Sequence, residues 1–175
     1  MSKDDNIPRI WGIRAGKGGK AHDLFITRGL IALEDAELGD LTKLDGTRDA
    51  FYARYRELHP EETRTGSAGI GGKYFRFVHE VQKGDWIVYP AIADKQVYVG
   101  DVSGAYSFDR SSDYPHQRKI KWKYVIPKAE FSTPAQYELG AARTFFEFKK
   151  SALELLRKVS HSAQYQFNKL PAHRS

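Results

Sequence analysis

A chain of 175 residues is long enough for one domain with a core of its own, and its lack of cysteine excludes disulfides, thiolate nucleophiles and cysteine-held zinc. The 28 Lys and Arg against 22 Asp and Glu give a net charge of +6, a modest attraction for a polyanion, and the 13% aromatic content supplies rings on which exposed bases can stack. With no apolar run of ~18 residues and a polar first stretch, neither a membrane span nor a signal peptide is expected, and the chain reads as cytoplasmic.

The stretch "IPRIWGIR" (7–14) reads as a first strand, broken by the glycine-rich "AGKGGK" before an amphipathic turn around Leu24 and Phe25. "LIALE" (30–34) is a second short strand. Thr47 can cap a helix with Phe51, Tyr55 and Leu58 on its apolar face, and Pro60 stops it. The spacing of Ile70, Tyr74, Phe77, Val78 and Val81 predicts a further helix, with Gly84 placed to end it. Strands follow in "DWIVYP", "QVYVGDVSG" and "RKIKWKYVI". Within "VYVGDVSGAYSF" (97–108), strict alternation turns at Gly104 and leads into Tyr106 and Phe108; such a junction suits either a sharply bent barrel strand or the lip of a pocket. Thr133 is placed to cap a helix with Pro134 at its first position and Gln136 closing the box, and "RTFFEF" is a last strand.

After Phe148 the composition changes to a helix that opens with the box Ser151 to Glu154 and carries Ala152, Leu155, Leu156, Val159, Ala163 and Phe167 on one face. Such a stripe can fold back on the barrel, dimerise, or lead to a further domain. There is no internal repeat, and disorder is expected at residues 1–6, in the loop near 61–67, and at the last few residues. Short strands with helices between them predict an α+β fold, a small mixed pseudo-barrel of about six strands.

Enzyme motifs largely fail on spacing. "GIRAGKGGK" lacks the four residues that precede Gly-Lys-Ser/Thr in a phosphate loop, and Lys20 is followed by Ala21. The six histidines form no helical pair beside a carboxylate, and no serine sits in a G-x-S-x-G elbow. Glu147-Phe148-Lys149 has the Glu-x-Lys spacing of metal-dependent nucleases, but no second carboxylate is evident to hold the ion. A solvated strand end is the plainer meaning.

In "RKIKWKY" the strand period puts Lys119, Lys121 and Lys123 on one face, about 6.6 Å apart, and Ile120, Trp122 and Tyr124 on the other. Such a rail can follow a phosphate backbone or simply face water, and Arg118, Lys17 and Lys20 are further cations of this kind. Trp11, Trp86, Tyr89, Tyr98 and Tyr106 exceed what a small barrel core needs, although strand aromatics are first of all core residues.

The blocks "WGIRAGKGG", "IALEDAELGDL", "YFRFVHEVQKGDWIVYP", "VYVGDVSGAYSFD", "YPHQRKIKW" and "FSTPAQYELGAARTFFEF" occur in an order and spacing that resemble the EVE-like domains of the PUA superfamily, as found at the N-terminus of Mrr-like modification-dependent restriction proteins. The resemblance covers roughly 10–148, leaving 149–175 as a C-terminal helix and tail or a linker to a further domain. It implies a small PUA/EVE-like pseudo-barrel that accepts a base turned out of its strand. It further implies that Arg14, Ala15, Gly16 and Gly18 form the loop beside that base, where small residues let backbone amides reach a ring edge. Tyr89 and Pro90 match another pocket wall, with Trp11, Trp86 and Tyr106 as further candidates for its lining. One departure stands out: Glu34, Asp35 and Ala36 replace the Gly-Trp-Asn expected before "ELGD", so the aromatic that this position would give to a cage is absent. A carboxylate there can accept from an exocyclic amine such as cytosine N4, or can simply face water.

The expected function is therefore non-enzymatic reading of a modified base in DNA, in the first instance a modified cytosine, within a restriction or defence system. No cofactor is expected; the expected partner is DNA carrying the modified base, with a nuclease domain or subunit as a further candidate. The alternatives are a reader of modified RNA, a metal-dependent nuclease using Glu147 and Lys149, and a protein-interaction module acting through the 151–170 helix.

Overall fold

Short apolar runs buried on both faces, and the alternation of the fifth strand, give six strands in this computed structural model, which describes residues 8–141, 143–160 and 163–167. They are β1 (Ile10–Ile13), β2 (Leu30–Leu33), β3 (Trp86–Pro90), β4 (Gln96–Phe108), β5 (His116–Pro127) and β6 (Phe145–Glu147). One mixed sheet joins them in the order β2-β5-β4-β3-β1-β6, with only β1 and β3 parallel. The fold is α+β, and the sheet stays open, with β2 and β6 as its edges. The disorder expected at residues 1–6 and at the extreme C-terminus lies outside the described residues.

Period 2 sorts the strands onto two cores. Ile87 and Tyr89 of β3 face the first, with Phe25 of α1 (His22–Arg28), Phe51 of α2 (Arg48–Leu58) and Tyr74 of α3 (Arg64–Phe75). Val88 faces the second, with Val97, Val99 and Ile126, against Leu139 of α4 (Thr133–Leu139) and Leu155 and Val159 of α5 (Ala152–Ser160). The stripe after Phe148 thus folds back on the sheet. Among the described residues no helix is long and apolar enough to cross a membrane.

Several local expectations are corrected. Of the 61–67 stretch only 61–63 is loop: Thr63 accepts from the Gly66 N–H at 3.0 Å and starts α3, which passes into a π-helical turn at Arg76–Glu80 and stops at Val81 instead of Gly84. β4 does not turn at Gly104 but stays paired with β5 out to Phe108 and His116, across register shifts at Val99/Gly100 and Val102/Tyr106. At Gly100 a methyl group would come within 2.6 Å of the Lys121 carbonyl oxygen, so only glycine lets β5 approach this closely. The bend therefore explains that glycine.

The caps near the C-terminus also shift. Ser132 caps α4, accepting from the Ala135 N–H at 3.3 Å, and Pro134 falls to the second helical position. The box from Ser151 to Glu154 does not close, because Glu154 accepts from the Ser132 N–H at 2.8 Å and from its hydroxyl at 2.5 Å. The Ser151 N–H donates to Glu138 at 2.8 Å instead. Tertiary partners have replaced a local cap and tie α5 to α4.

Candidate functional site

The loop after β1 separates two adjoining clefts. Gly16 and Gly18 hold φ of 69° and 67°, and at Gly16 a side chain would strike the Tyr114 ring, with a methyl 2.7 Å from it. One cleft, about 260 Å³, lies between this loop, Pro90 to Ile92 and Gly140. The other, about 360 Å³, is lined by Gly16, Lys17, Gly18 and the Tyr114 ring beside Gly16, and by Glu34, Asp35 and Lys73. Arg14 and Ile92 line both.

Asp35 is held with care. Its backbone is left-handed, φ 69° and ψ 66°, a conformation that costs most residues energy but that Asp tolerates better. Two buried side chains fix it there. The Tyr74 hydroxyl stands 2.9 Å from both the Glu34 carbonyl oxygen and Asp35 Oδ2, and His116 Nε2 lies 2.8 Å from the Asp35 carbonyl oxygen. A carbonyl only accepts, so Nε2 carries the proton. Burial, the largest influence on His116, lowers its pKa and favours the neutral ring. Nδ1 then accepts from Tyr106, whose oxygen is 2.7 Å away and itself receives the Leu41 N–H at 3.3 Å. Burial pushes Tyr74 well above the usual tyrosine range and Tyr106 up to about 12, so both hydroxyls keep their protons.

The remaining charge in the larger cleft is mixed. Glu34 is exposed, Asp35 and Arg14 are half-buried, and Lys17 is exposed. Lys73 sits 4.9 Å above the Tyr74 ring, and burial lowers its pKa against the pull of Asp35 and Glu34. A planar group entering here would meet backbone amides and a phenol on one side, and a carboxylate beside an ammonium on the other.

The candidate residues thus divide. Ala15, Tyr89 and Pro90 line the smaller cleft only, Gly18, Glu34 and Asp35 the larger only, and Arg14 and Gly16 both. Tyr89 is no open stacking platform, since its ring is buried, stacks on Tyr98 at 5.7 Å and places its hydroxyl 2.6 Å from His22 Nδ1. Trp11 is a core residue too, stacked on Phe145 at 5.2 Å with its indole N–H donated to Asp85. Trp86 packs against the second core, and Tyr106 acts on the larger cleft only through His116.

Arg118 is corrected as a backbone contact. It is 4% exposed and donates to the carbonyls of Gly104, Phe77 and Val81. The strand period already put it on the face of Ile120 and Trp122. Lys119, Lys121 and Lys123 are exposed on the opposite face, with Lys123 paired to Asp101, so the rail points away from the side on which α3 supplies Lys73. Lys17 and Lys20 are exposed beside the glycine loop.

Glu147 receives Arg9 at 2.9 Å, and Lys149 lies 3.7 Å away. Among the described residues no group of three His, Cys, Asp or Glu is placed to hold a metal ion. Sequence reasoning passed over Lys73, Tyr74, Tyr114 and His116 as site residues. Tyr74 was legible as a core position, but its hydroxyl's target lies 39 residues away.

Residues 11–149 match a family described as a domain of unknown function, DUF8426. The chain belongs to this family. The matched span runs from Trp11 in β1 to Lys149, just past β6, and so includes both clefts and the network behind Asp35. No curated protein and no solved structure matches the chain.

Proposed function

We propose that this protein binds DNA non-catalytically and reads a modified base, in the first instance a modified cytosine, in the larger cleft. The observation that carries the reading is Asp35, locked in a left-handed conformation by Tyr74 and His116 at a wall of that cleft. A fixed carboxylate can accept from an exocyclic amine, and its rigidity means that little orientation is lost on binding. Opposite it, Gly16 and Gly18 offer backbone without side chains, and Tyr114 and Ile92 supply flat and apolar surface for a ring. Arg14, Lys17 and Lys73 attract the adjoining phosphates. The resemblance to EVE-like domains supports the same reading, as does the match of loop position to cleft.

The test is a binding array of identical duplexes carrying cytosine, methylated or hydroxymethylated cytosine, or methylated adenine, with RNA versions alongside. Preference for one modified DNA is expected. Equal binding to all duplexes, or a preference confined to RNA, would overturn the reading.

A further inference from the structure

We infer that Arg48 and Arg76 form a phosphate-binding patch that continues the larger cleft along α3. The inference rests on the nucleic-acid reading for the source of the phosphate, but not for the site itself.

Two separate segments bring these cations together. Arg48 opens α2 and Arg76 opens the π-helical turn after α3. The bare backbone of Gly72 lies beneath both: a methyl there would be 3.3 Å from Arg48 Nη1 and 3.4 Å from Arg76 Nη1. Arg48 and Gly72 border a shallow depression of about 350 Å³ that also takes in Asp49 and Tyr52.

Charge compensation is incomplete. Glu80 is shared by Arg48 at 2.5 Å and Arg9 at 3.2 Å, and Arg9 also takes Glu147. Among the described residues no carboxylate lies within ion-pair distance of Arg76 or Arg143. Arg143 instead covers the Phe146 ring at 4.7 Å. Arg76 is half-buried, and burial, Arg48 and, less strongly, Arg143 and Arg9 disfavour its charge against the opposing pull of Glu80. A phosphate would relieve that repulsion and match the planar forks. One helical turn back, Lys73 is also disfavoured by Arg76, which ties this patch electrostatically to the cleft.

The experiment compares the parent with Arg76→Gln and with the exposed Arg48→Gln, after thermal unfolding has verified folding of each. The probes are inorganic pyrophosphate, by calorimetry, and an unmodified and a modified duplex, by anisotropy at several salt concentrations. Each variant is expected to bind both duplexes about tenfold more weakly, with a salt slope smaller by about one and an unchanged preference between them. If the parent prefers modified DNA while both variants match it in affinity and slope, this patch is wrong and the reading of the cleft stands. If the parent ignores DNA but binds pyrophosphate through Arg76, the patch stands with a free phosphate as its ligand, and the reading of the cleft falls. Binding of neither probe overturns both.

Discussion

The Tyr74 hydroxyl lies 2.9 Å from Oδ2 of Asp35, joining a buried helix residue to a carboxylate at the wall of the larger cleft. Because Asp35 has φ 69°, its backbone and its side chain can be tested apart. Asp35→Gly suits the left-handed backbone and removes the acceptor, whereas Asp35→Asn keeps a carbonyl oxygen. Discrimination between a modified duplex and its plain twin should fall in the order parent, Asn, Gly, with a loss of about 1 to 3 kcal/mol for Gly. Asp35→Ala should in addition lower unfolding stability by about 1 kcal/mol, since alanine is strained there. If Asp35→Gly discriminates like the parent, the carboxylate reads nothing.

Tyr74→Phe keeps the ring in the core but removes the O–H whose single proton the Glu34 carbonyl and Asp35 Oδ2 share. Urea unfolding should show a loss of about 1 to 3 kcal/mol. Discrimination should fall with it, while affinity for unmodified DNA and its salt slope stay nearly constant.

His116 makes stability depend on pH. Its pKa is lowered from 6.5 in the folded state, chiefly by burial and also by the nearby Lys73, against the opposing pull of Asp35 and Asp40. The unfolded chain therefore binds the proton more readily. The stabilisation is fully present above pH 6.5 and is lost as pH falls from there through the lower folded value. Denaturation midpoints taken from pH 8 to pH 5 should decline below that threshold more in the parent than in His116→Gln. Parallel curves would remove His116 from this role.

Tyr89 tests core against platform. Tyr89→Ala should cost roughly 3 to 5 kcal/mol of stability, as other large aromatic-to-alanine changes in cores do, whereas Tyr89→Phe loses only the contact with His22, about 1 kcal/mol. If Tyr89→Ala remains stable yet binds modified DNA poorly, its ring faces the ligand instead.

Glu147 discriminates against the nuclease alternative. Plasmid DNA incubated with the protein and magnesium or manganese should stay intact, and Glu147→Gln should leave duplex binding unchanged while breaking a partly exposed pair with Arg9 worth about 1 kcal/mol or less. Metal-dependent cutting that Glu147→Gln abolishes would establish an enzyme.

Local features were readable in the sequence. The strands follow from short apolar runs and, in β5, from period-2 alternation; α2 follows from the Thr47 cap and its apolar spacing, and the loop after β1 from its clustered glycines. Each is decided by neighbours within a few residues, so the sequence alone could specify it. Even Arg118 was legible as an inward position, because strand parity does not depend on charge. Only tertiary structure decided that Asp35 is locked, since its partners Tyr74 and His116 stand 39 and 81 residues away, and no local pattern encodes such a meeting. The same holds for Arg48 and Arg76: two arginines 28 residues apart become one electrostatic patch only when α2 and α3 are packed together around Gly72, because Coulomb interaction depends on distance in space and not along the chain.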